Sequence, residues 1–444
     1  MKRHLVALAT AWLATRAAML WLLTHSASPL LGGGGVGREV WHLYAHWYGV
    51  LARGAFPTGD TLWQYPPGAG PVLLLPALLP GLSYFRAFVA LTLLADAVTA
   101  VALARAGLRP ARSLGGAAVW TCGLPLLLQL PLARYDVQVT ALAVLALLAL
   151  SSWSPLLSRA LRSTRFSRFS LRGSARACGT LAALGALVKV WPLLVLVGTP
   201  RGRTTRTAWT WAGATAAAVL VLLAALFRHP LSFLAQQGGR GVQIESLGGT
   251  ALGLARHAGW PGGVRYQYGA MEFTGPHVAA VAHVSLALSA VAGALLLLWR
   301  VRARHWTEAT PPDAALTAVL LFTVTSRVIS PQYMVWLVGL AAVCLTSRQT
   351  TQRPVVALVL TATAVSSVVY PALYREVEAS TATGCGLMVL RNGLLAVAAV
   401  LSLVRLWRAS RTAAPYGGGL PRDSATLRAL TALRPAARET LDAH

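Results

Sequence analysis

Polar positions in this chain do not alternate with apolar ones at helix or strand period; they fall between long apolar blocks. Such blocks recur at 4–24, 84–104, 114–131, 136–152, 208–227, 277–299, 313–326, 331–347, 354–371 and 386–407. A helix crossing a bilayer needs about 17 to 25 mostly apolar residues, so the pattern predicts about ten transmembrane helices. An eleventh apolar block, 177–199, is flanked by arginine-rich segments on both sides and holds Pro192. A single crossing would carry one of those segments across the membrane. A re-entrant helix pair turning near Lys189 to Pro192 keeps both on one side, and the proline supplies the break.

The remainder of the polar sequence divides unevenly between the two sides. If the chain starts in the cytoplasm, segments 1–3, 105–112, 153–176, 200–207, 300–312, 347–353 and 405–444 are cytoplasmic, and they carry 26 of the 39 lysines and arginines. That bias follows the positive-inside rule. The first block is longer than a signal-peptide core and contains Arg16, so it is expected to remain as a helix rather than be cleaved. Both termini are then cytoplasmic, residues 1–408 form the transmembrane domain, and 409–444 form a basic tail with one short helix around 424–434. The outer side receives loop 25–83, the turn 132–135, loop 228–276, the turn at Arg327 and loop 372–385. Glu39, Asp60, Asp136, Glu245, Glu272, Glu376 and Glu378 all lie on or at that side.

Composition closes off several function classes. The chain is 56% hydrophobic with 12% charged residues and a mean hydropathy of +0.58, whereas soluble domains carry about 25% charged residues. Its net charge of +26 would suit nucleic acid if it were clustered on one face. It is spread over the loops between apolar runs instead, so no nucleic-acid partner is expected. The four cysteines are far apart and form no CxxC pair, which argues against a disulfide framework or a zinc site. HExxH, DxD, GxSxG and nucleotide-binding fingerprints are absent, so neither a metal nor a cofactor is expected.

The densest chemistry sits in the first outer loop, "REVWHLYAHWYGVLARGAFPTGDTLWQYPPGAG", residues 38–70. Its apolar spacing predicts an amphipathic helix at the interface, with Trp41, Tyr44, Trp47 and Tyr48 as anchors. Glu39 at its head is a candidate general base, since a carboxylate at the mouth of a membrane cavity is partly desolvated. Three other stretches carry candidates. "LARYDVQ" places Arg134 and Asp136 between two spans. "QQGGRGVQIESLGG" presents Arg240, Gln243 and Glu245 on a glycine-rich loop, and "TSRVISPQYMVW" sets Arg327 at the membrane edge, where a cation needs an anionic partner.

Taken together, "EVWHLYAHWYGVLARGAFPTGDTLWQYPPGAG", "RYDVQVTALAVLALLAL", "LGALVKVWPLL", "RGVQIES" and "SRVISPQYMVWL" resemble glycosyltransferase family 87. The resemblance spans roughly residues 39–336. It implies an all-α polytopic membrane protein of GT-C type, with about ten transmembrane helices, the re-entrant pair and a structured first outer loop. It further implies an inverting, metal-independent hexosyltransferase. The sugar, mannose in the family, moves from a polyprenyl phosphate donor to an envelope lipid or glycan acceptor at the outer face of the cell membrane. The family's base position matches Glu39, where the usual pattern has Asp-Val; Asp60 and Asp136 are the alternatives. Arg240, Arg327, Arg134 and Lys189 are the candidates for the donor phosphate, with Lys189 ranked last because a turn entered from inside places it deep. Tyr44, Trp47, Tyr65, Gln243, Glu245, Gln332 and Tyr333 are the expected substrate-binding residues. A secondary transporter or lipid flippase would also have broken, charged helices, but it would show repeats and no large outer loop. A GT-C fold that has lost catalysis is the other alternative.

Overall fold

The computed structural model describes residues 2–25, 35–151, 165–236 and 240–411. The tail from 412, with the short helix expected at 424–434, lies outside the described residues. Among the described residues the α-helices longer than the single turn Phe233–Gln236 are, in chain order, α1 (Lys2–Thr24), α2 (Ala45–Leu51), α3 (Ala69–Leu74), α4 (Tyr84–Gly107), α5 (Gly115–Gly123), α6 (Asp136–Ser151), α7 (Arg165–Val188), α8 (Arg203–Leu226), α9 (Leu247–His257), α10 (Val278–Arg302), α11 (Thr310–Thr325), α12 (Tyr333–Leu345), α13 (Arg353–Ser367), α14 (Tyr374–Ala379) and α15 (Ala382–Arg411).

Two kinds of apolar helix divide the work. Among the described residues six helices, α1, α4, α8, α10, α13 with its extension and α15, are long and apolar enough to cross a membrane. They keep much of their apolar surface outward, as lipid requires. Helices α6, α11 and α12 are shorter and apolar on every side, and nearly every residue of α12 from Met334 to Cys344 is buried. Apolar residues all round mark a helix enclosed by others, so these three form the centre of the bundle. Helix α4 shows the peripheral design. Ser83 caps it by accepting from Arg86 N–H, and its buried stripe runs Phe88, Thr92, Asp96, Thr99 and Leu103 at helical spacing. Within that stripe Asp96 is paired with Arg16 of α1 at 2.8 Å, and Trp120 Nε1 donates to its other oxygen at 2.7 Å. An unpaired charge at that depth would cost several kcal/mol, so α1 is tied to the bundle in one register.

The run expected to cross as one helix at 114–131 is interrupted. Helix α5 stops at Gly123, and Pro125 and Pro131 each begin a short 3-10 turn, Leu124–Leu127 and Leu130–Ala133. Proline lacks the N–H that an α-helix interior requires, but it is accommodated at the start of a helical turn.

Segment 165–198 forms a hairpin. Helix α7 ends at Val188, and a 3-10 segment, Trp191–Gly198, runs back with Pro192 near its start. Gly185 lets the two limbs touch, since a Cβ there would sit 3.0 Å from the Pro192 side chain. Ser174 and Pro200 line one small cavity together with Leu150 and Thr204, so the hairpin leaves and returns at the same end of the bundle. Its tip, Lys189, stands at the opposite end.

Helical prediction left out one feature, a three-stranded antiparallel sheet between α8 and α10. It comprises β1 (Val242–Gln243), β2 (Gly263–Gln267) and β3 (Ala270–Thr274), with β3 in the centre and Glu272 opposite both Gln243 and Arg265. The β2–β3 turn is Tyr268-Gly269, both at positive φ, the geometry that tight hairpins favour. "VRYQYGAMEF" therefore carried a hairpin signal amid a helical sequence.

Candidate active site

The loop that follows α1 docks rather than floats. From Glu39 a π-helical turn runs to Tyr44 and continues as α2. Val40, Tyr44, Trp47 and Leu51 form its buried stripe, and full burial of each such side chain contributes roughly 1.5–3 kcal/mol. That outweighs what an interfacial position would give them, so Tyr44 and Trp47 are core residues and only Trp41 remains outward, 55% exposed. Tyr44 lies against Phe88 and Tyr135, with ring centroids 5.5 and 5.6 Å away. This aromatic packing fixes the helix whose first residue is Glu39.

Glu39 is held by Arg134. Arg134 Nη2 lies 2.9 Å from Glu39 Oε1, and 40% of the Glu39 side chain stays exposed against 5% for Arg134. Arg134 also donates to the carbonyls of Val36 and Ala133. The carboxylate is thus aimed by a buried guanidinium while leaving surface for another molecule.

Lys189, at the hairpin tip, donates to Asp136 Oδ1 at 2.7 Å, and Trp336 Nε1 donates to the same oxygen at 2.6 Å. Its ammonium also lies 4.9, 5.4 and 5.8 Å from the rings of Tyr135, Trp336 and Tyr65, within cation–π range. The tip is positioned by the "QYPPG" stretch of the first outer loop. Gly68 N–H donates to Leu187 O at 2.9 Å, and a Cβ at Gly68 would meet that carbonyl at 2.6 Å. Only glycine allows the two backbones to approach so closely.

The segment between α8 and α10 brings a third cation. Arg240 Nε lies 3.4 Å from Glu272 Oε1, while Gly241 N–H and Gln267 Nε2 donate to the other oxygen of that carboxylate. Arg327 Nη1 donates to Arg240 O, Gln243 N–H donates to Arg327 O, and Gln243 Nε2 donates to Ser330 Oγ. The "SRVIS" segment therefore braces both Arg240 and the strand β1 that follows it.

These parts meet on one cavity of about 210 Å³, lined by Glu39, Tyr65, Lys189, Arg240, Gln332 and Tyr333 among the residues expected from sequence. Trp191, Tyr266, Tyr268, Ser330 and Trp336 add to it. One wall is apolar, and two of its residues face outward, Val190 at 62% and Phe322 at 37% exposure. Burial raises the Tyr65 hydroxyl pKa, with Glu39 and Asp136 adding to the effect, so Tyr65 stays a neutral hydrogen-bonding phenol.

Other expected residues stand apart from the cavity lining. Asp60 accepts from Trp47 Nε1 at 2.7 Å and from Leu62 N–H at 2.9 Å, and this fixes the loop. Asp136 is behind Lys189 with 1% of its side chain exposed. Tyr44, Trp47 and Gln243 support the site from below. Glu245 faces away into a second buried cluster, where Arg391 Nη2 donates to its carbonyl at 2.7 Å and Asn392 Nδ2 donates to Glu245 O, Ser246 O and Thr250 Oγ1. Burial pushes the Glu245 carboxyl up to about 7 against the pull of Arg391. Arg391 and Asn392 escaped the sequence reading although they interrupt the apolar run of α15. That interruption was the available signal.

No curated protein matches the chain in sequence. One solved structure, ArnT from Cupriavidus metallidurans bound to undecaprenyl phosphate, is similar at 15% identity and a TM-score of 0.44, covering 90% of this chain and 77% of that one. The sequence profile of glycosyltransferase family 87 matches residues 63–331, a stretch that includes Asp136, Lys189, Arg240 and Arg327 and begins after Glu39. With more than half its length matched, the chain belongs to glycosyltransferase family 87 and is a membrane glycosyltransferase.

Proposed function

We propose that the protein transfers a hexosyl residue, mannosyl by family resemblance, from a polyprenyl phosphate to a lipid or glycan acceptor. The reaction occurs at the extracytoplasmic face, inverts the anomeric centre and uses no metal. The observation that carries this reading is the single cavity onto which a half-exposed carboxylate, an ammonium and a guanidinium all open, beside an apolar wall facing lipid.

Each requirement of the chemistry has a residue in place. Glu39 accepts the proton of the acceptor hydroxyl, and Arg134 fixes the direction in which its free oxygen points. The deprotonated oxygen attacks the anomeric carbon from the side opposite the phosphate. The bond from that carbon to the phosphate oxygen breaks, its electron pair leaves with the polyprenyl phosphate, and the proton remains on Glu39. Charge develops on the departing phosphate, where Lys189 and Arg240 stabilise it. Arg327 and Arg134 act through the groups they hold. The prenyl tail lies along Val190 and Phe322, and Tyr65, Gln332 and Tyr333 contact the sugar. Both termini are cytoplasmic.

Membranes containing the protein, incubated with labelled polyprenyl-phosphate mannose and envelope lipids, test the reading. Glu39→Gln should lower transfer by about 10²- to 10⁴-fold, the usual worth of a general base, while Asp60→Asn should retain most of it. Undiminished transfer in Glu39→Gln would remove Glu39 from the mechanism. No transfer by the wild type to any acceptor would support a fold without this activity.

A further inference from the structure

The largest cavity described lies at the far end of the bundle from the active site and plays no part in the reaction above. It measures about 710 Å³ and is bounded by the start of α1, the turn from α4 to α5, the start of α5 and Arg348. Helix α4 separates the two sites. It starts at Tyr84, whose hydroxyl donates to Leu73 O in the first outer loop, and ends at Gly107 on the cavity rim, about 36 Å away at 1.5 Å per residue.

The lining combines cations with grease. Arg109, Arg112, Arg348 and His4 supply the polar side, and Leu8 and Leu114 part of the apolar one. Arg112 is already paired with Glu308 at 2.7 Å, and Arg348 Nε donates to Arg112 O. The Arg109 side chain and the Arg348 terminal nitrogens have no hydrogen-bond or ion-pair partner among the described residues. Burial lowers the Arg112 pKa, and the like charge of Arg109 lowers it further. Cations that repel each other around a concavity are stabilised by an anion between them. Ala7 and Leu8 belong to α1, a helix long and apolar enough to cross a membrane, so the apolar side of the cavity continues along that helix.

We propose that this cavity binds an anionic phospholipid of the surrounding membrane. Its phosphate lies among Arg109, Arg348 and His4, and its acyl chains run along α1. The ligand chemistry is a phosphate ester joined to hydrocarbon; a free phosphate would leave Leu8 and Leu114 without a partner. Basic pockets between transmembrane helices recognise lipid head groups in this manner. The inference does not depend on the proposed transfer reaction.

The test uses the full-length protein in nanodiscs of phosphatidylcholine with or without phosphatidylglycerol, reading the melting temperature and the lipid retained after detergent extraction. Phosphatidylglycerol should raise the melting temperature and be retained selectively. Arg109→Gln with Arg348→Gln should weaken its retention about 30-fold, roughly 2 kcal/mol at about 1 kcal/mol per basic residue. Arg109→Glu alone, at a side chain with no described hydrogen bond or ion pair, should lower it without lowering the melting temperature in phosphatidylcholine. Equal retention of both lipids by the wild type, or undiminished phosphatidylglycerol retention in Arg109→Glu, would overturn the proposal. Complete displacement by millimolar inorganic phosphate would overturn it too, showing a site for the free anion.

Discussion

Replace Lys189 by Met and Asp136 loses its ion-pair partner with 1% of its side chain exposed. Removing one member of a buried ion pair costs about 3–5 kcal/mol. The Trp336 hydrogen bond at 2.6 Å and the amides of the first turn of α6, where Asp136 sits, offset part of that. A helix N-terminus contributes about 0.3–1 kcal/mol toward an anion, so the expected loss is roughly 3 kcal/mol. Asp136→Asn leaves the opposite orphan in gentler surroundings. The Lys189 side chain is 12% exposed and has three rings at 4.9, 5.4 and 5.8 Å. Each such contact is worth about 0.5–1 kcal/mol, which holds the loss to roughly 1–2 kcal/mol.

The double variant leaves no orphan, so it should lose less than the two singles added, with a coupling of at least about 2 kcal/mol. Chemical denaturation in detergent micelles reads all three. If Lys189 also holds the donor phosphate, Lys189→Met should raise KM for the donor about 10- to 100-fold, since a charge-assisted hydrogen bond contributes about 1.5–3 kcal/mol. Asp136→Asn should raise it far less. The reasoning fails if Asp136→Asn destabilises as much as Lys189→Met, or if the singles simply add.

Three further outcomes follow from packing and charge. Gly68→Ala forces a Cβ to 2.6 Å from the Leu187 carbonyl; it should cost about 1–3 kcal/mol and raise donor KM through the displaced hairpin tip, read by melting and initial rates. Glu245, whose carboxyl burial pushes up from 4.5 to about 7, contributes stability that is complete below pH 4.5 and lost as pH rises through 7. At 1.36 kcal/mol per pH unit the ceiling is roughly 3 kcal/mol, and Glu245→Gln should flatten melting temperature against pH between 5 and 8. Arg16→Met should destabilise by about 3–5 kcal/mol through the unpaired Asp96, and Asp96→Asn added to it should recover part of the loss in the same denaturation assay.

Much of the fold was legible because a bilayer leaves a chain few options. Every expected apolar run contains a helix, and only its ends and breaks needed structure, as at Pro125, where a run long enough to cross becomes a helix and two 3-10 turns. The sheet was hidden because helix-length hydropathy windows average over its five-residue strands. Its signal was local, in Tyr268-Gly269 and the alternation on either side.

The site was legible as a set of residues but not as a set of pairs. In a chain this apolar a charge signals that a partner exists, and nothing in the sequence near it says where. Lys189 meets Asp136 from 53 positions away, Arg391 meets Glu245 from 146 and Arg16 meets Asp96 from 80. Lys189 ranked last for the donor phosphate because a turn entered from inside places it deep; the structure sets it on the lining of the same cavity as Glu39 and Arg240. Glu39 shows the converse. Its neighbourhood was read correctly as an aromatic helix headed by a carboxylate, but what makes that carboxylate directional is Arg134, which appeared in sequence only as a rival phosphate ligand. A glutamate at the position to which the resemblance assigns aspartate reaches about one methylene further, and with Arg134 holding Oε1 at 2.9 Å that reach is fixed rather than free. Glu39→Asp should therefore impair transfer by breaking the contact with Arg134, and an Arg134→Lys variant should share that defect.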